Sequence, residues 1–237
     1  MHMYYGYGYG YGFDWTYFLI IIGVLLSMGA SAKMNATFAR YARVRSTSGL
    51  TGAECAQRIL QSQGLYDVQV LHVPGTLTDH YDPRNRTVSL SDAVYASESV
   101  AAIGVAAHEC GHAVQHATGY KLLNLRSAMV PVVNLGSQLS WPLILLGVLF
   151  GGSSLVSFGI LLFSFCVAFQ VVTLPVEYDA SRRALNMLED YGIVGDSEIG
   201  GQKAVLGAAA LTYVAAAAGS LLQLLRLFLI FGGRRRD

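Results

Sequence analysis

Four long apolar runs alternate with polar stretches along the chain, and they predict most of its architecture. Trp15 to Ala32 is nearly uncharged and long enough to cross a bilayer. Met129 to Phe150 and Leu155 to Leu174, separated by Gly151-Gly152-Ser153-Ser154, predict a transmembrane hairpin over 128–174. Ala204 to Phe231 is alanine-rich early and leucine-rich late, and its small residues suit helix packing in a membrane. This last run admits two readings. A crossing over 204–233 would leave the basic tail 234–237, with Arg234, Arg235 and Arg236, outside, against the positive-inside rule; Arg226 also interrupts the run. A helix lying in the interface would instead keep the C-terminus inside.

The polar stretches carry local signals of their own. Residues 1–14 hold a Tyr/Gly tract, a tail without the means to bury a core, with tyrosines suited to a membrane interface. In the section 33–127, Thr51-Gly52-Ala53-Glu54 is a capping box that opens a helix stopping near Gly64. Tyr66 to Val73 alternates like a strand, Asp82-Pro83 marks a turn, and Arg86 to Leu90 predicts a second strand. Asn134, Ser137, Gln138 and Ser140 in the hairpin's first helix should face protein or a water-filled cavity. Pro175 is expected to open a polar helix within 175–203. Lys33, Arg40, Arg43 and Arg45 follow the first run, the wrong polarity for a cleavable signal and the right one for an anchor with its N-terminus outside. With Arg182 and Arg183, they place Ser46 to Lys121 and the 175–203 helix on the cytoplasmic side.

Composition agrees with a mainly α integral membrane protein carrying transmembrane helices and a small cytoplasmic α+β section. Of 237 residues, 53% are hydrophobic and only 13% charged, about half the charge of a soluble domain. A net charge of +1 gives no footprint for nucleic acid, so membrane lipid is the expected surroundings. The three cysteines, Cys55, Cys110 and Cys166, are scattered and read as small buried side chains, not as a disulfide framework.

The chemistry sits in His108-Glu109-Cys110-Gly111-His112, an H-E-x-x-H sequence. Histidines four apart lie one helical turn apart on one face, so both imidazoles can hold one zinc ion, with Glu109 beside them as a general base. Ser99 to Thr118 predicts the helix that carries them, ended at Gly119. Small residues at Ala106, Ala107, Cys110, Gly111 and Ala113 let neighbouring backbone approach closely. A catalytic zinc needs a third protein ligand, and Glu177 and Asp179 are the acids that follow directly after the hairpin returns. They lie about 200° apart on a helix, so one of them closes the site and the other supports it. His116 lies too far along the helix to join His108 and His112, and His72 reads as an ordinary polar residue. A second donor for the oxyanion is expected from His80, Tyr178 or Arg182. Thr87, Val88, Ser89 and Leu90 are the candidate edge strand for adding a substrate peptide.

The stretches STSGLTGAE, LTDHYDPRNRTVSLS, AAIGVAAHECGHAVQHA, VTLPVEYDASRRAL and AAALTYVAAAA together resemble the YugP-type family of membrane zinc metallopeptidases. The resemblance runs over nearly the whole chain after the Tyr/Gly tract. In layout the family is similar to the HtpX and Ste24 membrane peptidases, where a helix after the hairpin supplies a glutamate. It implies a zincin-like, gluzincin-type site in a bacterial plasma membrane, one zinc ion per chain and hydrolysis of protein or peptide substrates. It favours Glu177 as third ligand and leaves Asp179 to orient a histidine or pair with Arg182 or Arg183. The chain departs from that wider group where an aspartate is usual four residues after the glutamate, since Ser181 stands there. Two other classes fit less well. A scaffold holding structural zinc would not need Glu109, and a metal transporter would want ionisable residues inside the spans.

Overall fold

Residues 14–232 are described by a computed structural model; the Tyr/Gly tract and the terminal arginines fall outside them. The elements, in chain order, are α1 (Tyr17–Tyr41), α2 (Gly52–Ser62), β1 (Gln69–Val73), β2 (His80–Asp82), β3 (Thr87–Ser91), α3 (Val100–Ala117), α4 (Lys121–Leu149), α5 (Ser153–Asp190) and α6 (Asp196–Phe231). Helices α1, α4, α5 and α6 are long and apolar enough to cross a membrane.

Local signals are realised closely. Thr51 and Glu54 form the reciprocal capping box that starts α2. Ser99 caps α3 by accepting a bond from the Ala102 amide, and Gly119 follows its end with φ 65°. Helix α3 is buried almost all round. It packs on α2 and β3 on one side and on α5 and α6 on the other, with Ile59, Val88, Leu90, Ile103, Leu188 and Val205 in the shared core. Cys55 and Cys110 belong to that core, and all three cysteines are unpaired.

Helix α6 runs antiparallel beside α1. Where they cross, a Cβ at Gly23 would stand 3.2 Å from the Gly219 Cα, a closeness that two glycines permit. At one end the Thr47 amide, just past α1, donates to Glu198 (3.1 Å); at the other the Arg226 guanidinium sits 4.5 Å over the Tyr17 ring. That cation–π contact gives Arg226 a partner in an otherwise apolar run. The last run therefore traverses as much of the molecule as α1 does, and both described ends fall on the side away from the polar section.

Two expectations are corrected. Pro175 does not open a helix, because α5 continues unbroken from Ser153 to Asp190. Proline deletes one backbone bond, and burial of Val176, Ala180, Ala184 and Leu188, each 0% exposed, outweighs that loss. In the hairpin, Ser140 turns inward, while Asn134, Ser137 and Gln138 lie exposed along α4. Ser137 satisfies its hydroxyl on the Asn134 carbonyl and needs no neighbouring helix. Thr87, Val88, Ser89 and Leu90 cannot take up an added strand, because the sheet order is β1-β3-β2. Both edges of β3 are occupied, by β1 in parallel and β2 in antiparallel. The edge beside α3 belongs to β2, whose three residues are too few to show alternation.

Candidate metal centre

The metal-binding geometry starts from a glycine. A Cβ at Gly111 would lie 2.5 Å from the Ala180 carbonyl oxygen, so the backbone of α5 rests directly on α3 between the two histidines. That contact brings Glu177 over His108 and His112. One ligand atom from each of the three lies within 4.8 Å of the others. Glu177 Oε2 is 3.2 Å from His108 Nε2 and 3.5 Å from His112 Nε2. Tetrahedral zinc with bonds of about 2.0–2.1 Å sets neighbouring ligand atoms about 3.3 Å apart. Two imidazoles and a carboxylate at this spacing fit one zinc ion, with a fourth position open toward a cavity.

The outer nitrogens of both histidines are held. His112 Nδ1 lies 3.0 Å from Gln115 Oε1, which can only accept, so Nδ1 carries the proton and Nε2 keeps its lone pair for metal. Gln115 Nε2 in turn donates to Asp179 Oδ2 (3.0 Å) and to the Val176 carbonyl (2.8 Å). Arg182 and Arg183 donate to the same Asp179 carboxylate. His108 Nδ1 meets Ser181 Oγ at 3.1 Å. Ser181, where the wider group has aspartate, therefore supports His108 directly, while Asp179 reaches His112 through Gln115. The signal for Gln115 was present in the sequence, three residues past His112 on the same helix face.

Glu109 is 8% exposed and turned into the cavity. Burial pushes its carboxyl above the ordinary value; the two histidines pull it back, and Glu177 and Asp79 add to the rise. His112 is also shifted upward: burial lowers it, but the Glu177 hydrogen bond and charge outweigh that.

The cavity measures about 320 Å³. One wall is the edge strand and its turn, residues 79–84. The lining also includes Arg126 and Val130 of α4, Phe169 of α5 and Tyr213 of α6. Arg126 approaches the outer oxygen of Glu177 at 3.7 Å. Of the three expected oxyanion donors, only His80 lines the cavity. Its Nδ1 lies 2.9 Å from the Thr78 carbonyl and donates there. Tyr178 is 54% exposed and lies outside the lining, as does Arg182, held by Asp179. His116 is not a ligand; its ring bonds the Tyr81 hydroxyl at 2.8 Å and ties β2 to the metal helix. His72 pairs with Asp92. Gln115, Arg126 and Tyr213 are the site residues that the sequence did not single out.

Comparison with known proteins supports this chemistry. Residues 16–232 match the family described as "Putative neutral zinc metallopeptidase". The chain is 50% identical over 214 residues to a protein of Bacillus subtilis (strain 168) named "Putative membrane protease YugP". That match covers 90% of this chain and 95% of the relative. No solved structure matches. With two imidazoles and a glutamate whose ligand atoms lie within 4.8 Å of one another, and a family match over nearly all of its described length, the chain belongs to the neutral zinc metallopeptidase family.

Proposed function

We propose that the chain is a membrane-embedded zinc metalloendopeptidase that hydrolyses peptide bonds of membrane-associated proteins or peptides, one zinc ion per chain. The observation that carries this reading is the His108–His112–Glu177 triad, its ligand atoms within 4.8 Å of one another, opening into a cavity that also holds Glu109. A structural site would close the fourth position with protein. His108, His112 and Glu177 hold the ion, which when bound supplies the Lewis acidity that activates water and polarises the scissile carbonyl.

The remaining steps belong to the chain's own residues. The substrate lies extended along the open edge of β2, with backbone bonds to His80–Asp82 replacing the missing strand. Glu109 takes the proton of the attacking water as its oxygen bonds to the carbonyl carbon. The carbonyl π pair moves to oxygen, where the Tyr213 hydroxyl donates a hydrogen bond. Tyr213 lines the cavity together with His108, Glu109, His112 and Glu177. Arg126 holds the outer oxygen of Glu177 and keeps the inner one for the ion. As the tetrahedral centre collapses, the C–N bond breaks and Glu109 passes its proton to the departing amine. The arginines at 40, 43 and 45 support a cytoplasmic position for this site in a bacterial plasma membrane.

The test uses full-length protein in detergent, fluorescein-labelled casein and 1,10-phenanthroline. Turnover should vanish with the chelator and return with zinc. Glu109→Gln should keep zinc and lose about 10²–10⁴-fold in rate, and Tyr213→Phe should keep zinc and lose about 10²–10³-fold in kcat with little change in KM. Wild-type turnover by Glu109→Gln would remove the base, and wild-type kcat in Tyr213→Phe would remove the oxyanion donor.

A further inference from the structure

The cavity does not end at the metal. Ser127 and Val130 line it from α4, and the same face of that helix continues at steps of three and four through Asn134, Ser137, Gln138 and Trp141. At 3.6 residues per turn these six side chains fall within an arc of about 100°. Asn134, Ser137 and Gln138 are exposed, and neither side-chain amide has a hydrogen-bond partner among the described residues. At a rise of about 1.5 Å per residue, Asn134 and Gln138 stand about 20 and 26 Å along α4 from Lys121, near the middle of the span. Amide side chains at that depth are costly against lipid unless something bonds them.

The shape of the bundle shows where such a partner fits. Helices α4 and α6 each pack along α5. At the end far from the metal, Ile144 of α4 and Leu227 of α6 share a cluster with Val156 and Ile160 of α5. The Trp141 ring stands edge-on to Phe163 of α5, 6.1 Å between centroids, beside the top of the polar face. From there the face runs down α4 without interruption into the cavity.

We propose that this face of α4 is the docking surface for a transmembrane segment of a membrane-protein substrate, which unwinds against Asn134 and Gln138 and passes as an extended chain into the metal cavity. The inference rests on the peptidase reading and names its substrate class. A helix must lose its backbone bonds before a peptidase can cut it, and in hydrocarbon the freed N–H and C=O groups need replacements. Carboxamides both donate and accept, which suits that exchange; lipid tails would need neither. A polar face that leads into the hydrolytic site is better matched to a chain that must arrive there than to a static partner helix.

The experiment places p-benzoylphenylalanine at Gln138, or at Leu139 on the opposite face, in the full-length Glu109→Gln protein. The vesicles contain phosphatidylethanolamine and phosphatidylglycerol. The probe is a tagged single-span leucine–alanine helix with one glycine–proline step at its centre. Position 138 should crosslink to the probe and position 139 should not. In the active enzyme, Asn134→Leu combined with Gln138→Leu should raise KM for the embedded probe at least tenfold, leaving casein turnover and zinc content unchanged. Equal crosslinking from both positions, or unaltered cleavage of the probe by the double variant, would overturn the proposal. So would crosslinking of position 138 to a second copy of the chain in place of the probe, since the face would then join copies. A wild type with no chelator-sensitive cleavage would defeat the peptidase reading, while the crosslink outcome would still decide whether the face binds a membrane segment.

Discussion

Replacing Gly111 by alanine adds one methyl group at the place where α3 and α5 touch. The new Cβ would stand 2.5 Å from the Ala180 carbonyl oxygen, 3.1 Å from its carbon and 3.2 Å from its Cα. All three atoms are backbone, so no rotamer relieves the clash. Ordinary contact begins near 3.4 Å, which requires a separation of about 0.9 Å between the helices. Zinc sites hold their ligand distances within about 0.2 Å. Ala180 is followed by Ser181, the partner of His108, and lies one helical turn from Glu177, so the shift displaces a ligand and a support together. Overpacking of this kind costs about 1–3 kcal/mol. At about 1.4 kcal/mol per tenfold, zinc affinity should fall roughly 5- to 150-fold. Two other glycines serve as controls. A Cβ at Gly104 meets only the end of the flexible Gln202 side chain, so Gly104→Ala should cost less. Gly207 has nothing within 4 Å, and Gly207→Ala should be neutral or gain up to about 1 kcal/mol in helix propensity. Competition with a chromophoric chelator on the detergent-solubilised protein reads the affinity. Wild-type zinc affinity in Gly111→Ala would refute the claim that this contact sets the ligand spacing.

The second layer of the site makes a parallel prediction: Gln115→Ala and Ser181→Ala should each weaken zinc binding about 10–100-fold, read by the same competition, and no change in either would mean the histidine rings are held by packing alone. Zinc affinity should also depend on pH in a set direction. Because Glu177 holds His112 above its ordinary value of 6.5, protons begin to compete with zinc above pH 6.5 and win progressively as pH falls; a titration flat from pH 8 to 5.5 would contradict this. For topology, a single cysteine at Asn85 in a Cys-free background should resist impermeant thiol reagents in intact cells, while one placed after Gly232 should react. Protection at both positions would contradict the antiparallel pairing of α1 and α6 as two crossings.

What could be read from the sequence was what neighbours along the chain decide. The capping box at Thr51, the Ser99 cap, the Gly119 stop and the His108–His112 face depend on residues a turn apart, and each stands where its local chemistry puts it. The sheet could not be read in this way. Strand order depends on which edges meet, so the buried, alternating Thr87–Leu90 stretch looked like an edge and the three-residue β2 was invisible. Pro175 misled for a related reason: its local preference for a first turn lost to the burial of the residues around it in one long α5. Tyr213 shows the same limit at the site itself. In the sequence it is one aromatic residue in an alanine-rich run, indistinguishable from an interfacial tyrosine. Only the pairing of α6 against α1 and α5 turns it toward His108, Glu109 and Glu177. That pairing needs the small residues that make the run look featureless, because glycine and alanine let α6 lie close enough to its neighbours for a phenol to reach the cavity. The alanine-rich stretch is therefore better understood as the mount for a single polar group than as an anchor, and substitutions that thicken its packing face should disturb the site before they disturb insertion.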